Sequence, residues 1–447
     1  MRVILDIESI NHPLTGIGRY TLTLTRELLK SPRVTEVGLI KLADQMLLTT
    51  PVQLEAYIEQ IIPTEIRAVK PEDRNNIEYK HVPFWRYIPF WDSIPYRKQI
   101  PFREAFIRHY NNFKYWRLER RYRQLELFKF FSDQSTHLLE GWQSKFNQKQ
   151  YKNIVNNKSL EYIFHGPNFH LALMPNKSVV TIHDLSVLRH PECHPEDRTD
   201  FWNKEIYKVA ERSTKIITVS EFQKQEIIEL LGVDADKIHV VYLGVESKFR
   251  PYNPEDSQDV LQKYGLEYKQ YSLVVSTIEP RKNFIRLLKA FEQLPKSMRR
   301  TYPLAIVGDK GWKSEEIHKV ITGLIEKKEA VRLGYVDEAD LPYLYASAAV
   351  FLYPSIYEGF GLPVLEAMAS GTPVLTSNTS SLPEVAGEGC LLIDPYSIED
   401  ITTAWQNILG DLALREELSE AGIIQAKKFS WQRCAQQTIE VYEKAER

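Results

Sequence analysis

Two glutamates, Glu358 and Glu366, stand eight positions apart in the stretch YPSIYEGFGLPVLEAMASGTPVLTSN, which runs from Tyr353 to Asn378. Carboxylates accept hydrogen bonds from hydroxyl groups, and a carboxylate pair can also flank a glycosidic bond as acid and base. A second stretch, STIEPRKN from Ser276 to Asn283, brings Arg281 and Lys282 together directly after an apolar run, where two cations would neutralise an anion that gains charge during a reaction. A histidine, His183, follows another apolar run in TIHDLS. A lone histidine is usually structural, but one at the carboxyl end of a strand is also placed for chemistry.

The elements that position these residues follow from local grammar. AVFLYP reads as a strand, EGFG as a glycine loop, and LPVLEAMAS as an amphipathic helix opened by Pro363 and closed by Gly371, because proline suits the first helical turn and glycine the residue past the end. Glu358 then lies where a strand ends and a helix begins. Gly359 and Gly361 allow close backbone approach, and the N–H groups of Gly361 and Leu362 can face an anion with help from the helix dipole. TGIGRY places Gly16 and Gly18 in a loop between the strand RVILDI and a helix from about Tyr20 to Lys30. Strand and helix alternate through SVVTIHDL and KIITVS, then through YSLVVST, PLAIVG, AVRLGYV, AVFLYP, TPVLTS and CLLID. Such alternation predicts an α/β fold of two doubly wound, Rossmann-like domains with a ligand cleft between them. The join falls near Phe249, where YLGVESKFRPYNPEDS breaks the pattern, giving domains at 1–249 and 250–429 and a terminal helix at 430–447 that packs back on the first domain.

At 447 residues the chain exceeds one ordinary core, and its net charge of -2 gives no global bias toward nucleic acid. MRVILDIESI lacks the apolar core of a signal peptide and no apolar run reaches membrane-spanning length, which predicts a cytoplasmic protein. Cys193, Cys390 and Cys434 have neither disulfide-framework nor zinc-ligand spacing, and the sequons at Asn157, Asn176 and Asn378 read as chance matches. Asp234 and Asp236 form a D-x-D pair in a helix-to-strand connection, read as a solvated turn rather than a metal site. An insert at 81–131 stands apart: it is rich in Trp, Phe and Tyr and holds 11 Lys and Arg against 4 acids, a local net of +7. It fits an anionic membrane surface and a helical hairpin equally well, and single-stranded nucleic acid less well.

With these residues in place, the chain resembles the retaining nucleotide-sugar glycosyltransferases of family 4, which have the two-domain GT-B fold. The resemblance rests on Glu358 and Glu366 with GFGLPVL between them, and on TGIGRY, TIHDL, EPRKN, LGYVDEADLPYLYASA and SGTPVLTSNTSSLPEVAG. It covers most of the chain and is weakest from about Pro51 to Lys158. It implies that Glu366 holds the ribose hydroxyls, although acids also favour a first helical turn. It further implies that Glu358 orients the donor sugar, that His183 faces it, and that Lys282 meets the diphosphate. Donor contacts are also implied for Gly16, Gly18, Asn283, Tyr335, Val336, Gly359, Phe360, Gly361 and Leu362. Asp184 fits a turn brace, and Asp340 a helix cap. Where the family often has an arginine five positions before the lysine, this chain has Thr277, and Arg281 is the nearest candidate to replace it. No metal or other cofactor is implied, because cations can stabilise the leaving diphosphate. Bacterial mannosyltransferases of polysaccharide assembly look closest, which makes GDP-mannose the first donor to expect and a saccharide or lipid-linked chain the acceptor. A glycoside hydrolase, a nucleotide-sugar epimerase of the same fold and a non-catalytic sugar-nucleotide-binding protein remain as rivals, and the oligomeric state is open.

Overall fold

A computed structural model describes residues 1–7, 9, 16–41, 46–48, 162–171 and 177–446, all within one compact unit. The insert at 81–131 lies outside the described residues. Every apolar run read as a strand forms one, and β2, β3, β4 and β7 join them. The first sheet contains β1 (Arg2–Asp6), β2 (Glu36–Lys41), β3 (Met46–Leu48), β4 (Tyr162–Gly166), β5 (Ser178–Ile182), β6 (Lys215–Thr218) and β7 (Ile238–Val240). Their order is β3-β2-β1-β4-β5-β6-β7, parallel except for β3. The second sheet holds β8 (Ser272–Val275), β9 (Leu304–Val307), β10 (Ala330–Gly334), β11 (Val350–Tyr353), β12 (Val374–Ser377) and β13 (Leu391–Ile393). It is wholly parallel, in the order β10-β9-β8-β11-β12-β13. Strands β4, β5, β9, β11 and β12 are buried at every position, as parallel strands covered on both faces must be.

Strand order reverses between β1 and β4 in one sheet and between β8 and β11 in the other. At such a switch point successive loops leave in opposite directions and open a crevice. The segments 276–283 and 354–361 follow β8 and β11, so Arg281 and Lys282 on one side and Glu358 on the other flank the same crevice.

Two helices differ from expectation. The first spans Gly16–Lys30, so Gly16 and Gly18 lie in its first turn and not in a loop. A glycine costs a helix about 1 kcal/mol relative to alanine, and burial of Tyr20, Leu22, Leu24 and Leu28 outweighs that. The helix Leu362–Ala369 begins with Pro363 in its first turn and is followed by Gly371 at φ 70°, but Val364 through Met368 are all buried. It packs against the helix Leu412–Ala426 as well as β11 and β12, which removes the solvent face that an amphipathic helix would keep. The last helix, Trp431–Glu446, lies on the first sheet. Its Tyr442 hydroxyl is 2.7 Å from His165 Nδ1, and Glu443 pairs with Arg33. No described helix is long and apolar enough to cross a membrane.

Candidate active site

The short turn after β8 and the glycine loop after β11 meet through ion pairs. Lys282 Nζ donates to Glu358 Oε1 at 2.6 Å and to the Tyr353 hydroxyl at 2.8 Å. Arg281 reaches the other oxygen of Glu358 at 2.9 Å, the Tyr357 carbonyl at 2.7 Å and Glu279 at 2.9 Å. Burial alone would raise the Glu358 pKa, but Arg281 and Lys282 outweigh it and hold the carboxylate at about 2. Lys282 is displaced downward by burial and by Arg281, against the pull of Glu358. The cluster is an ionised, hydrogen-bonded set whose two cations are matched by two carboxylates, and it can orient hydroxyls.

The backbone of the glycine loop is fastened by side chains. Ser380 accepts from Glu358 N–H at 3.0 Å, and Ser381 Oγ donates to the carbonyls of Glu358 and Phe360, both at 2.9 Å. From the first domain, Ser220 Oγ donates to the Gly359 carbonyl at 2.8 Å. Tyr357 crosses the same junction: its hydroxyl accepts from Leu185 N–H and from Gln223 Nε2, and lies 3.3 Å from Glu226 Oε2. The N–H groups of Gly361 and Leu362 have no protein acceptor among the described residues, so they remain able to meet a ligand at the start of the helix.

Glu366 lies on the buried helix. Its Oε2 accepts from the Tyr345 hydroxyl at 3.0 Å and its Oε1 from Arg19 Nη1 at 3.2 Å. Arg19 Nε also reaches Glu338 at 2.9 Å. Burial raises the pKa of Glu366, with Arg19 and Tyr345 pulling it down. Arg19, Tyr345, Glu338, Tyr353 and Tyr357 were not singled out from the sequence. An available signal for Arg19 was a cation in the first turn of a helix, the end where the dipole disfavours positive charge; the later start assumed for that helix concealed it.

His183 follows β5, buried between Tyr20 and Phe169 at ring-centroid distances of 4.8 and 6.0 Å. Its Nε2 lies 2.8 Å from the Pro167 carbonyl, so Nε2 carries the proton and Nδ1 is left as an acceptor. Burial lowers its pKa to about 4. Asp184 braces the turn through Ser186 N–H at 2.9 Å. Asp340 occupies the cap position of the helix Leu341–Ala346, but its carboxylate accepts from Lys263 and Tyr264 instead of the helix. Asp234 accepts from Asp236 N–H in a short turn between helix and strand.

Four further residues have side chains that the protein itself engages or buries. Asn283 adopts φ 61°, and both N–H bonds of its amide go to protein carbonyls, Pro354 at 3.0 Å and Pro395 at 2.7 Å. It ties the β8 turn to the ends of β11 and β13, which leaves its amide nitrogen no donor for a ligand. The Phe360 ring packs between Tyr242 and Phe429, so only its backbone adjoins the loop. Val336 is buried while Tyr335 is 45% exposed, which leaves Tyr335 as the accessible ring of that segment. Arg281 gives Nη1 and Nη2 to Glu358, Glu279 and a carbonyl while its buried Nε has no partner among the described residues, so its charge is already matched by two carboxylates and is not free to replace the cation missing at Thr277.

Comparison with known proteins follows the same division of the chain. Residues 256–425 match the family described as glycosyl transferases group 1, and residues 149–249 match glycosyltransferase family 4. O-antigen chain mannosyltransferase B of Escherichia coli is 35% identical over 442 residues, covering 99% of this chain and 99% of that protein. Among solved structures, sucrose-phosphate synthase from Thermosynechococcus elongatus aligns with a TM-score of 0.55 at 22% identity, over 67% of this chain and 78% of that one. Anabaena Alr3699/HepE in complex with UDP and glucose aligns with a TM-score of 0.56 at 20% identity, over 66% and 82%. These structural likenesses concern the fold.

Proposed function

This chain belongs to the GT-B glycosyltransferases that carry the group 1 and family 4 domains, and from that membership we propose that it transfers mannose from GDP-mannose to a hydroxyl of a saccharide or lipid-linked chain, with retention at the anomeric carbon. The observation that carries the choice of sugar is the end-to-end similarity to an O-antigen chain mannosyltransferase. In this reading Glu366 accepts from the ribose hydroxyls through the lone pairs that Tyr345 and Arg19 leave available. Glu358, held ionised by Arg281 and Lys282, orients the hydroxyls of the sugar, and His183 faces it from the first domain.

The acceptor oxygen forms its bond to the anomeric carbon as the bond to the diphosphate breaks, and its proton passes to a diphosphate oxygen. Lys282 and the N–H groups of Gly361 and Leu362 stabilise the charge that the leaving group gains. Metal independence belongs to the same proposal. Its support is that donors already converge where the diphosphate would sit, although Arg281 and Lys282 are matched in charge by Glu279 and Glu358. The cationic, aromatic composition of 81–131 supports docking of the acceptor side on an anionic surface.

The test is a panel of nucleotide sugars. GDP-mannose at about 100 times its dissociation constant should stabilise the folded chain by about 2.7 kcal/mol and label an oligomannose primer with α-linked product. A shift and a product seen only with another nucleotide sugar would overturn the donor. Hydrolysis of a mannoside without transfer would favour the hydrolase reading.

A further inference from the structure

We propose that Arg19 is a ligand for the diphosphate of the donor, supplying from the first domain the positive charge that Thr277 leaves missing in the second. The proposal rests on the reading of Glu366 as the ribose contact, and four observations lead to it.

The turn after β8 has no surplus charge to offer. Arg281 and Lys282 are held by Glu358 and Glu279, while Thr277, where a further cation would stand, is exposed and neutral. Arg19 joins the first domain to the nucleotide-facing acids of the second, pairing with Glu338 at 2.9 Å and Glu366 at 3.2 Å, whereas Lys248 reaches Glu338 alone, at 3.9 Å.

Its guanidinium is only partly engaged. Nε and Nη1 have acceptors, whereas Nη2 has none among the described residues, and the side chain keeps 20% of its surface exposed. A planar guanidinium held at Nε by one carboxylate and at Nη1 by another presents Nη2 in a fixed direction, which suits a charge-assisted contact to a phosphate oxygen.

The ribose and Arg19 can also share Glu366. Arg19 and Tyr345 take one contact on each oxygen, which leaves a lone pair on each for a vicinal diol. The phosphates on the same ribose begin one sugar ring away from that diol, so a ribose held by Glu366 would carry them within reach of the guanidinium bound to the same carboxylate.

Finally, Arg19 sits in the first turn of the helix Gly16–Lys30, where the helix dipole works against a positive side chain. An anion bound there would be favoured by both the dipole and the arginine.

The test compares a nucleoside with its diphosphate. Calorimetry would measure guanosine and GDP, and uridine and UDP, on the parent, Arg19→Gln and Arg19→Lys. For whichever base the parent binds, Arg19→Gln should weaken the diphosphate about tenfold or more while the nucleoside changes much less, the loss expected for one charge-assisted contact. Arg19→Lys should fall between, and it supplies the same ratio if the glutamine variant does not fold. Equal weakening of nucleoside and diphosphate would mean that Arg19 acts only through Glu366, and an unchanged pair would mean that it acts on neither; either result overturns the proposal. A parent that binds neither diphosphate would instead sink the underlying reading of Glu366.

Discussion

Gly359 and His183 meet backbone to backbone across the two domains: a Cβ built on Gly359 would lie 2.0 Å from the His183 carbonyl oxygen. The loop that presents Glu358 is therefore seated directly on the strand end that presents His183. Ser220 and Tyr357 hold the same seat from either side. Only glycine allows this approach, because the obstructing atoms are backbone and cannot rotate away.

Gly359→Ala should therefore separate Glu358 from His183 more than it unfolds the chain. Overpacking of this kind costs about 1–3 kcal/mol, and transfer activity should fall by a larger factor than that loss of stability explains. Parallel thermal melts and kcat/KM would check it. Activity close to the parent's would show that the close approach is not needed for the reaction.

How much of this was legible in the sequence depends on how local each relationship is. Glu358, Glu366 and Lys282 stand out in the sequence because each sits in a motif that contains its own strand, loop and helix signals. That two of those motifs meet at one switch point is a matter of strand order, which alternation does not give and the structure shows. Arg19 was not found, because its partner Glu366 lies 347 positions away and nothing local marks the pair. Tyr357 was missed for a similar reason, since its hydroxyl partners Leu185, Gln223 and Glu226 all belong to the other domain. Asn283 shows the opposite limit of local reading: its place beside two cations suggests a ligand contact, while the long-range partners of its amide, the Pro354 and Pro395 carbonyls, give it a bracing role that no local signal marks.

Acid should destabilise the chain in two stages. His183 and His165 have folded pKa values lowered by burial to about 4 and about 3. Between pH 6.5 and those values the unfolded rings bind protons that the folded ones refuse, so stability is lost as pH falls. Each such histidine contributes a slope of about 1.4 kcal/mol per pH unit. Glu358, held at about 2, adds stability that is present above pH 4.5 and lost below it. Urea midpoints from pH 7 to pH 4 should decline, and His183→Asn should flatten that decline by about one proton. An unchanged slope would place a protonated ring in the folded site.

Chelation should leave transfer intact. Loss of activity with EDTA, restored by magnesium or manganese, would show that Lys282, Arg19 and the loop N–H groups do not suffice for the leaving diphosphate, and would reopen the metal question.

Residues 81–131 should bring the chain to anionic vesicles. Each basic residue near such a surface contributes about 1 kcal/mol before screening, so flotation should rise with anionic lipid content and fall with salt. A variant with Arg117, Arg120, Arg121 and Arg123 changed to Gln should bind less. Equal partitioning of the two proteins would favour the hairpin reading.

The most direct test of the account is the affinity of GDP and of GDP-mannose for the parent and for Glu366→Ala, measured by calorimetry. The ribose is common to both ligands, so removal of its carboxylate partner should weaken both by a similar factor, about tenfold or more for hydrogen bonds to a charged group. If Glu366→Ala binds both as tightly as the parent, the carboxylate serves only Tyr345 and Arg19, and the donor site lies elsewhere.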